Sequence, residues 1–453
     1  MSLRNQDSSL KFLVFSDDWG RHPSSCQHLI RQLLPDHQVT WVNTIGMRPP
    51  RLDLITLRRG FEKLRGWAGT SAVAGGQSHD DPIASNSVDV ASDRVDAADP
   101  LSQAAERGQG PNVIDAKMWP WMSHSWDRWL NRWLLSKQLR LASEDAIVIT
   151  TIPIVADLVG RLPAARWVYY CVDDFSVWPG LDGEMLGRME DELVAKVDCT
   201  IAVSDTLMES LRRRGCSPHL LTHGVDLDFW RTKEVGGKDN GLGVDATPAN
   251  EERDSSSSKE PASNDVYASE TPGSDRVLFW GVVDRRMNAD WVLALADSMD
   301  SGKVILAGPH QDPDPRLLSH QRVRTLGALP FEELPQLAAT ADVLIMPYAD
   351  LPVTRAMQPL KLKEYLATGK PVVVSPLPAT AAWEDCLYIV HDQASFIAKV
   401  HSLMDREHQP TGERTLLNKT FERLKHESWS AKAAQMLGVI GEVSQRANSI
   451  ASG

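Results

Sequence analysis

The chain has 453 residues, too many for one ordinary hydrophobic core, so two domains joined by linkers are expected. Its formal net charge is −12, no basic stripe of the size nucleic acid demands is present, and no stretch approaches the ~18 apolar residues of a membrane span. Five scattered cysteines without metal-ligand spacing and a polar N-terminus point to free thiols and a cytoplasmic protein.

In chain order, Lys11–Ser16 is a short apolar run ended by Asp17-Asp-Trp-Gly20, followed by a helical pattern over 27–34 and a second apolar run at 39–42. Strand, helix, strand implies a parallel sheet. Residues 48–65 are basic, whereas 70–112 are rich in Ala, Ser, Asp and Gly and carry seven acids against two bases. That segment has too little apolar periodicity to offset ordering entropy and is expected to be a disordered insertion. Trp126, Trp129, Leu130, Trp133 and Leu134 follow helical spacing among Arg128, Arg132, Lys137 and Arg140. A core-packing face is the favoured reading; the alternative is an interfacial helix resting on a membrane. Strands follow at 146–150, 167–172 and 199–203, with helices at 184–197 and 207–214. Residues 234–275 contain Ser255-Ser-Ser-Ser258 and read as a disordered linker. The second region repeats the alternation: strands at Arg276–Trp280, Lys303–Ala307, 342–346 and 371–375, helices at 291–299, 331–339 and 361–367. The expected class is α/β, two Rossmann-like doubly wound domains over 1–230 and 276–427, with a ligand cleft between them.

Three places carry chemistry. Gly281-Val-Val-Asp-Arg-Arg-Met287 follows a strand and precedes a helix, so Gly281 permits close backbone approach and Arg285 or Arg286 could neutralise a diphosphate. A solvated turn with surface arginines is the plain alternative. In Pro359-Leu-Lys-Leu-Lys-Glu-Tyr-Leu-Ala-Thr-Gly369, Pro359 starts a helix, Gly369 stops it, and Lys361 and Glu364 lie three apart in the first turn. A ribose diol wants a carboxylate, and a diphosphate wants a cation. An exposed ion pair is again the alternative. Asp173 and Asp174 end a strand on the cleft side, where a carboxylate could accept a proton from an attacking hydroxyl; capping the next turn is the competing use.

The run P-L-K-L-K-E-Y-L-A-T-G-K-P-V-V at 359–373 resembles the donor-site segment of GT-B-fold glycosyltransferases of the group 1 kind. Other pieces resemble that family in order: Val225-Asp-Leu-Asp-Phe229, Gly281-Val-Val-Asp284, Leu306-Ala-Gly308, Leu326-Gly-Ala-Leu-Pro330 and Ala341-Asp-Val-Leu-Ile-Met-Pro-Tyr348. The nearest groups are bacterial polysaccharide transferases similar to the teichuronic acid and xanthan glucuronosyl enzymes. The resemblance implies donor contacts at Gly281, Arg285, Arg286, Thr354, Pro359, Leu360, Lys361 and Glu364, and a base at Asp173 or Asp174 within a "D-D-x-S" stretch. It implies acceptor-side contacts at Gly20, Gln27 and His28, where Ser24 and Ser25 equally suit helix caps. It also implies a final helix over 428–447 crossing back to the first domain. Two departures stand: Ala356 occupies the place of the second glutamate of the retaining families, and the usual lysine of the Gly281 loop is absent.

The expected function is hexosyl or uronosyl transfer from a nucleotide-diphosphate sugar to a glycan or lipid-linked acceptor. No metal or other cofactor is expected, because basic side chains and helix N-termini can carry the leaving diphosphate. The expected setting is the cytoplasm, with a peripheral contact on the inner face of the plasma membrane as an option. A nucleotide-sugar epimerase and a non-catalytic nucleotide-sugar-binding subunit are the rival readings.

Overall fold

The computed structural model describes residues 9–20, 24–43, 110–178, 181–231, 276–405 and 411–451. The expected insertion (up to residue 109), the linker at 234–275 and the basic stretch at 48–65 lie outside the described residues. The last residue of the expected insertion, Asn112, opens a strand.

The first sheet has seven parallel strands: β1 (Lys11–Ser16), β2 (Gln38–Asn43), β3 (Asn112–Asp115), β4 (Ile147–Thr150), β5 (Arg166–Cys171), β6 (Cys199–Ala202) and β7 (His219–Leu220). Their spatial order is β3-β2-β1-β4-β5-β6-β7. The second sheet takes β8 (Arg276–Trp280), β10 (Lys303–Ala307), β12 (Val323–Gly327), β13 (Val343–Met346), β14 (Val372–Val374) and β15 (Tyr388–Ile389), in the order β12-β10-β8-β13-β14-β15. A small parallel pair, β9 (Val283–Asp284) with β11 (His310–Gln311), stands beside it. The central strands are near-continuous apolar runs because helices cover both faces of each sheet.

Each sheet reverses its order once, between β1 and β4 in the first and between β8 and β13 in the second. Crevices open at such switch points beyond the carboxyl ends of the strands. The segment expected as one helix over 331–339 is a 3-10 turn, Phe331–Glu333, leading into the helix Leu334–Ala339. Pro335 sits in the first turn, where its missing N–H is tolerated.

The helix Trp429–Ala451 returns to the first domain, where Trp429, Ala433, Met436 and Ile440 share a core with Cys26, Leu29 and Ile30. The two crossings of the chain touch: Val225 N–H donates to the Glu427 carbonyl at 2.9 Å. Between them Lys363 is buried, 2% exposed, with Nζ 2.5 Å from Glu427 Oε2 and 3.1 Å from Thr222 Oγ1, and it also donates to the His223 carbonyl. Lys432 meets the same carboxylate oxygen at 2.7 Å.

The tryptophan helix, Ser125–Ser143, corrects the favoured reading. Its buried face is Asp127, Asn131, Leu135, Leu139 and Ser143, while Trp126, Trp129 and Trp133 are 56%, 57% and 51% exposed. Polar groups turn inward because partners wait there. The Asn131 amide donates to the Trp119 and Trp121 carbonyls, and Arg128 forks onto Asp157 and Glu192. A period of four through 127, 131, 135 and 139 competes in the sequence with the tryptophan stripe, and satisfied hydrogen bonds decide it.

Candidate active site

The loops after β8 and β13 meet at the switch point of the second sheet. Ala349 N–H donates to the Arg286 carbonyl at 2.7 Å, and Asn288 N–H to the Pro347 carbonyl at 2.8 Å. Gly281 turns the chain with φ +131°, and a Cβ there would stand 2.2 Å from Lys361 Nζ. Gly308 packs against it from β10: a Cβ at 308 would lie 2.1 Å from the Gly281 carbonyl oxygen. Only glycine meets both demands.

The helix Leu360–Ala367 brings its first turn to this loop, with Pro359 as N-cap at φ −65°. Lys361 Nζ donates to the Trp280 carbonyl at 3.0 Å and lies over the rings of Phe279 (4.0 Å) and Tyr348 (4.9 Å). Burial, followed by repulsion from Arg286, holds its ammonium well below the usual lysine range. Glu364 accepts from the Trp280 indole N–H at 3.4 Å, and burial raises its carboxyl to about 7 against the opposing pull of that bond and of Lys361. Lys361, Glu364 and Asp173 keep some open surface although protein atoms surround them closely.

The two arginines separate. Arg286 is tucked in: it forks onto Asp284 through Nε and Nη2, and its guanidinium lies 5.2 Å from the ring of Trp178 in the other domain. Arg285 points outward, 78% exposed, and pairs with Asp312 at 2.6 Å. Of the two arginines expected to meet a diphosphate, only Arg286 faces the other domain; both lie in the turn that follows β9, where Arg286 folds back onto Asp284.

The aspartates separate as well. Asp174 accepts from Ser176 N–H (3.1 Å) and Ser176 hydroxyl (2.5 Å), so it closes the turn and is corrected from candidate base to cap. Asp173 is raised to about 7, chiefly by burial and then by Asp174, with the Arg286 guanidinium and the Trp178 indole pulling it down. That indole N–H is near enough to act on Asp173, yet it makes no hydrogen bond of ordinary geometry. Asp173 and Arg286, from opposite domains, thus act on each other electrostatically, and Arg286 in turn acts on Lys361.

Several other expected contacts are structural in this fold. Thr354 is fully buried, accepting from Leu351 N–H and donating to the Ala349 carbonyl, which corrects its donor role. Leu360 packs on the apolar core of the first domain. Gln27 is fully buried, its amide engaged by Asp17, the Asp18 carbonyl and Gly20 N–H, so it shapes the loop and does not reach an acceptor. Gly20, at φ +79°, belongs to the same turn. His28 stacks on Trp429 at 4.7 Å and lies 6.3 Å from Phe331; burial and Arg31 lower its imidazole to about 4. It is a joint between domains. Ala356 is buried, and its carbonyl accepts from Ser204 across the same boundary at 3.1 Å. Sequence reasoning missed Trp178, Trp280, Tyr348 and Asp284, whose roles depend on which loops the two domains bring together.

Among the described residues no group of three His, Cys, Asp or Glu side chains could hold a metal, and no helix is long and apolar enough to cross a membrane.

Residues 274–406 match the family model of the group 1 glycosyl transferases. Over 50 residues the chain is 48% identical to a putative teichuronic acid biosynthesis glycosyltransferase, TuaH, of Bacillus subtilis; that match spans 11% of this chain and 13% of the relative. Solved structures resemble it over nearly its whole length. The HepE protein of Anabaena, in complex with UDP and glucose, superposes with a TM-score of 0.59 at 12% identity, over 95% of this chain and 99% of that one. The sucrose-phosphate synthase of Thermosynechococcus elongatus gives 0.62 at 13% identity, over 96% and 100%. WaaG, a glycosyltransferase involved in lipopolysaccharide biosynthesis, gives 0.53 at 11% identity, over 94% and 98%. Residues 274–406 thus resemble the group 1 glycosyl transferases, and the chain as a whole has the GT-B fold.

Proposed function

We propose that the chain transfers a hexosyl or uronosyl group from a nucleotide-diphosphate sugar to a glycan or lipid-linked acceptor, in the cytoplasm and in peripheral contact with a membrane. The observation that carries this is the convergence of Arg286 and Lys361 from the second domain with Asp173 from the first. A diphosphate at the Gly281 loop meets two cations and the first turn of the 360–367 helix. Its negative charge would restore the ammonium that burial disfavours on Lys361. Glu364 offers a carboxylate to the ribose hydroxyls.

In the step we infer, the acceptor hydroxyl attacks the anomeric carbon while the bond from that carbon to the diphosphate oxygen breaks. The proton passes to Asp173, and the electron pair leaves with the nucleotide diphosphate beside Arg286 and Lys361. The positive charge these residues supply lets the reading do without a metal cofactor. The HepE neighbour's complex with UDP and glucose supports uridine donors as the first to try, and the short TuaH match supports a cell-envelope glycan as product.

The test is a panel of nucleotide sugars, with nucleotide release followed with and without lipid-linked acceptors. Acceptor-dependent release supports transfer. A free epimerised sugar appearing without acceptor points to the epimerase, and binding without turnover to a non-catalytic subunit. Glu364→Ala should weaken donor binding roughly tenfold to a hundredfold, the worth of one hydrogen bond to a charged group. Unchanged affinity rejects the site.

A further inference from the structure

The helix Ser125–Ser143 carries a surface that the donor site does not use. Trp126, Trp129, Trp133, Lys137 and Arg140 follow one another at steps of three and four, so they form one continuous stripe along ~21 Å of helix. The three tryptophans are each more than half exposed, Lys137 and Arg140 are exposed, and Leu130 and Leu134 flank the stripe half-buried. Lys137 Nζ lies 5.6 Å from the Trp133 ring centroid, joining cation and aromatic on the same face. Trp119 extends the aromatic surface at the helix start, 5.8 Å from Trp126.

Charge is as one-sided as shape. The helix holds four bases and one acid, and that acid, Asp127, is buried and receives the His124 N–H at 3.0 Å. Arg128 is turned into the fold by Asp157 and Glu192. The helix therefore turns tryptophans and cations outward and no acid, on a chain of net charge −12.

We propose that this stripe docks the protein on an anionic lipid surface, with the indoles at headgroup depth and Lys137 and Arg140 against the phosphates. Tryptophan prefers the water–lipid boundary because its ring is apolar and its N–H is polar. Lysine and arginine beside it gain from the negative surface potential. A protein partner fits less well: interface cores are depleted in lysine, and hot-spot tryptophans sit ringed by well-packed contacts, not along an open helix ridge. The proposal rests on the membrane contact named in the proposed function for its purpose, but the docking itself is measured without donor or acceptor.

The experiment floats the full chain with vesicles of phosphatidylcholine alone or mixed in equal parts with phosphatidylglycerol. The protein should float with the mixed vesicles, less as salt rises, and brominated lipid should quench its tryptophan emission. Changing Trp126, Trp129 and Trp133 together to alanine should lower partitioning at least about tenfold, given the apolar area removed. Lys137→Glu with Arg140→Glu should lower it on mixed vesicles alone. These side chains lie at the surface, so a retained melting temperature shows the fold is intact. A wild-type protein that stays with the buffer overturns the proposal, as does a triple variant that floats equally well. So does a wild-type dimer that the triple substitution dissociates, which would make the face a self-contact. Nucleotide release by the triple variant in solution should be unchanged. A protein that docks yet never releases nucleotide refutes the transferase reading and leaves this one standing.

Discussion

Asp173→Asn is the perturbation that separates this site most sharply from a merely folded one. Burial has carried the Asp173 carboxyl from the ordinary aspartate range near 4 up to about 7, so its ionisation falls at working pH. If it takes the acceptor proton, kcat should fall tenfold for each unit of pH below that value. Removing the carboxylate should cost about 10²–10⁴ in kcat, or roughly 3–5 kcal/mol of barrier, and abolish the acid limb. Arg286→Ala removes the cation that holds Asp173 down, so the limb should move to higher pH. The contribution of this carboxyl to stability should run the opposite way. A carboxyl whose folded pKa lies above its unfolded one binds its proton more tightly in the native state, so its contribution rises as pH falls from about 7 toward 4, while the lowered imidazoles of His28 and His223 take stability away over the same range. Glu364, also raised to about 7, adds to that slope; Glu364→Gln should raise the donor KM while keeping the acid limb. The assay is nucleotide release across neutral pH, paired with urea unfolding at the same pH values. A limb that persists in Asp173→Asn would refute the assignment of the base, and a variant whose stability depends on pH just as the wild type's does would refute the burial argument beneath it.

Two further substitutions test the supports of the site. Gly281→Ala sets a Cβ 2.2 Å from Lys361 Nζ at φ +131°, so it should displace the ammonium, lower nucleotide affinity about tenfold and cost ~1–3 kcal/mol of stability; titration calorimetry with donor and thermal unfolding read the two effects. Lys363→Met leaves Glu427 paired with Lys432, so the loss should sit near the lower end for a broken buried pair, about 2–4 kcal/mol in urea unfolding; a variant as stable as wild type would show that the node does not hold the domains.

What the sequence revealed and what it hid divide along a physical line. Strands such as β1, β8 and β13 were legible because both faces are buried and the apolar run is continuous. Edge strands such as β3, with three of four residues exposed, have no such signature. Lys361, Glu364 and Gly281 were legible because each stands in a short motif, a helix first turn or a strand-ending glycine, whose spacing is local. Which of Arg285 and Arg286 faces inward was not, since both lie in the turn after β9, where no side-chain period applies and the Asp284 carboxylate decides which guanidinium folds back. Asp173 and Asp174 lie past the end of β5, and the bonds from Ser176 to Asp174 separate them. The tryptophan helix misled because two periodic faces coexist in it, and burial went to the one whose polar groups found partners.

The donor helix shows why a site between two domains can still be exact in geometry. Lys361 and Glu364, three apart, face the Gly281 loop and Trp280. Lys363, two residues on from Lys361 and so on the far side of the helix, fastens to Glu427, Thr222 and the His223 carbonyl, where the chain passes between domains twice. Eight residues of helix therefore hold the proposed donor groups with one face and the interdomain crossings with the other. A rigid element this short cannot rotate to improve one set of contacts without disturbing the other. The approach of Arg286 to the Trp178 ring and the charge of Asp173 then depends on the same helix that positions Lys361, so Lys363→Met should lower the rate of nucleotide release without touching the substrate.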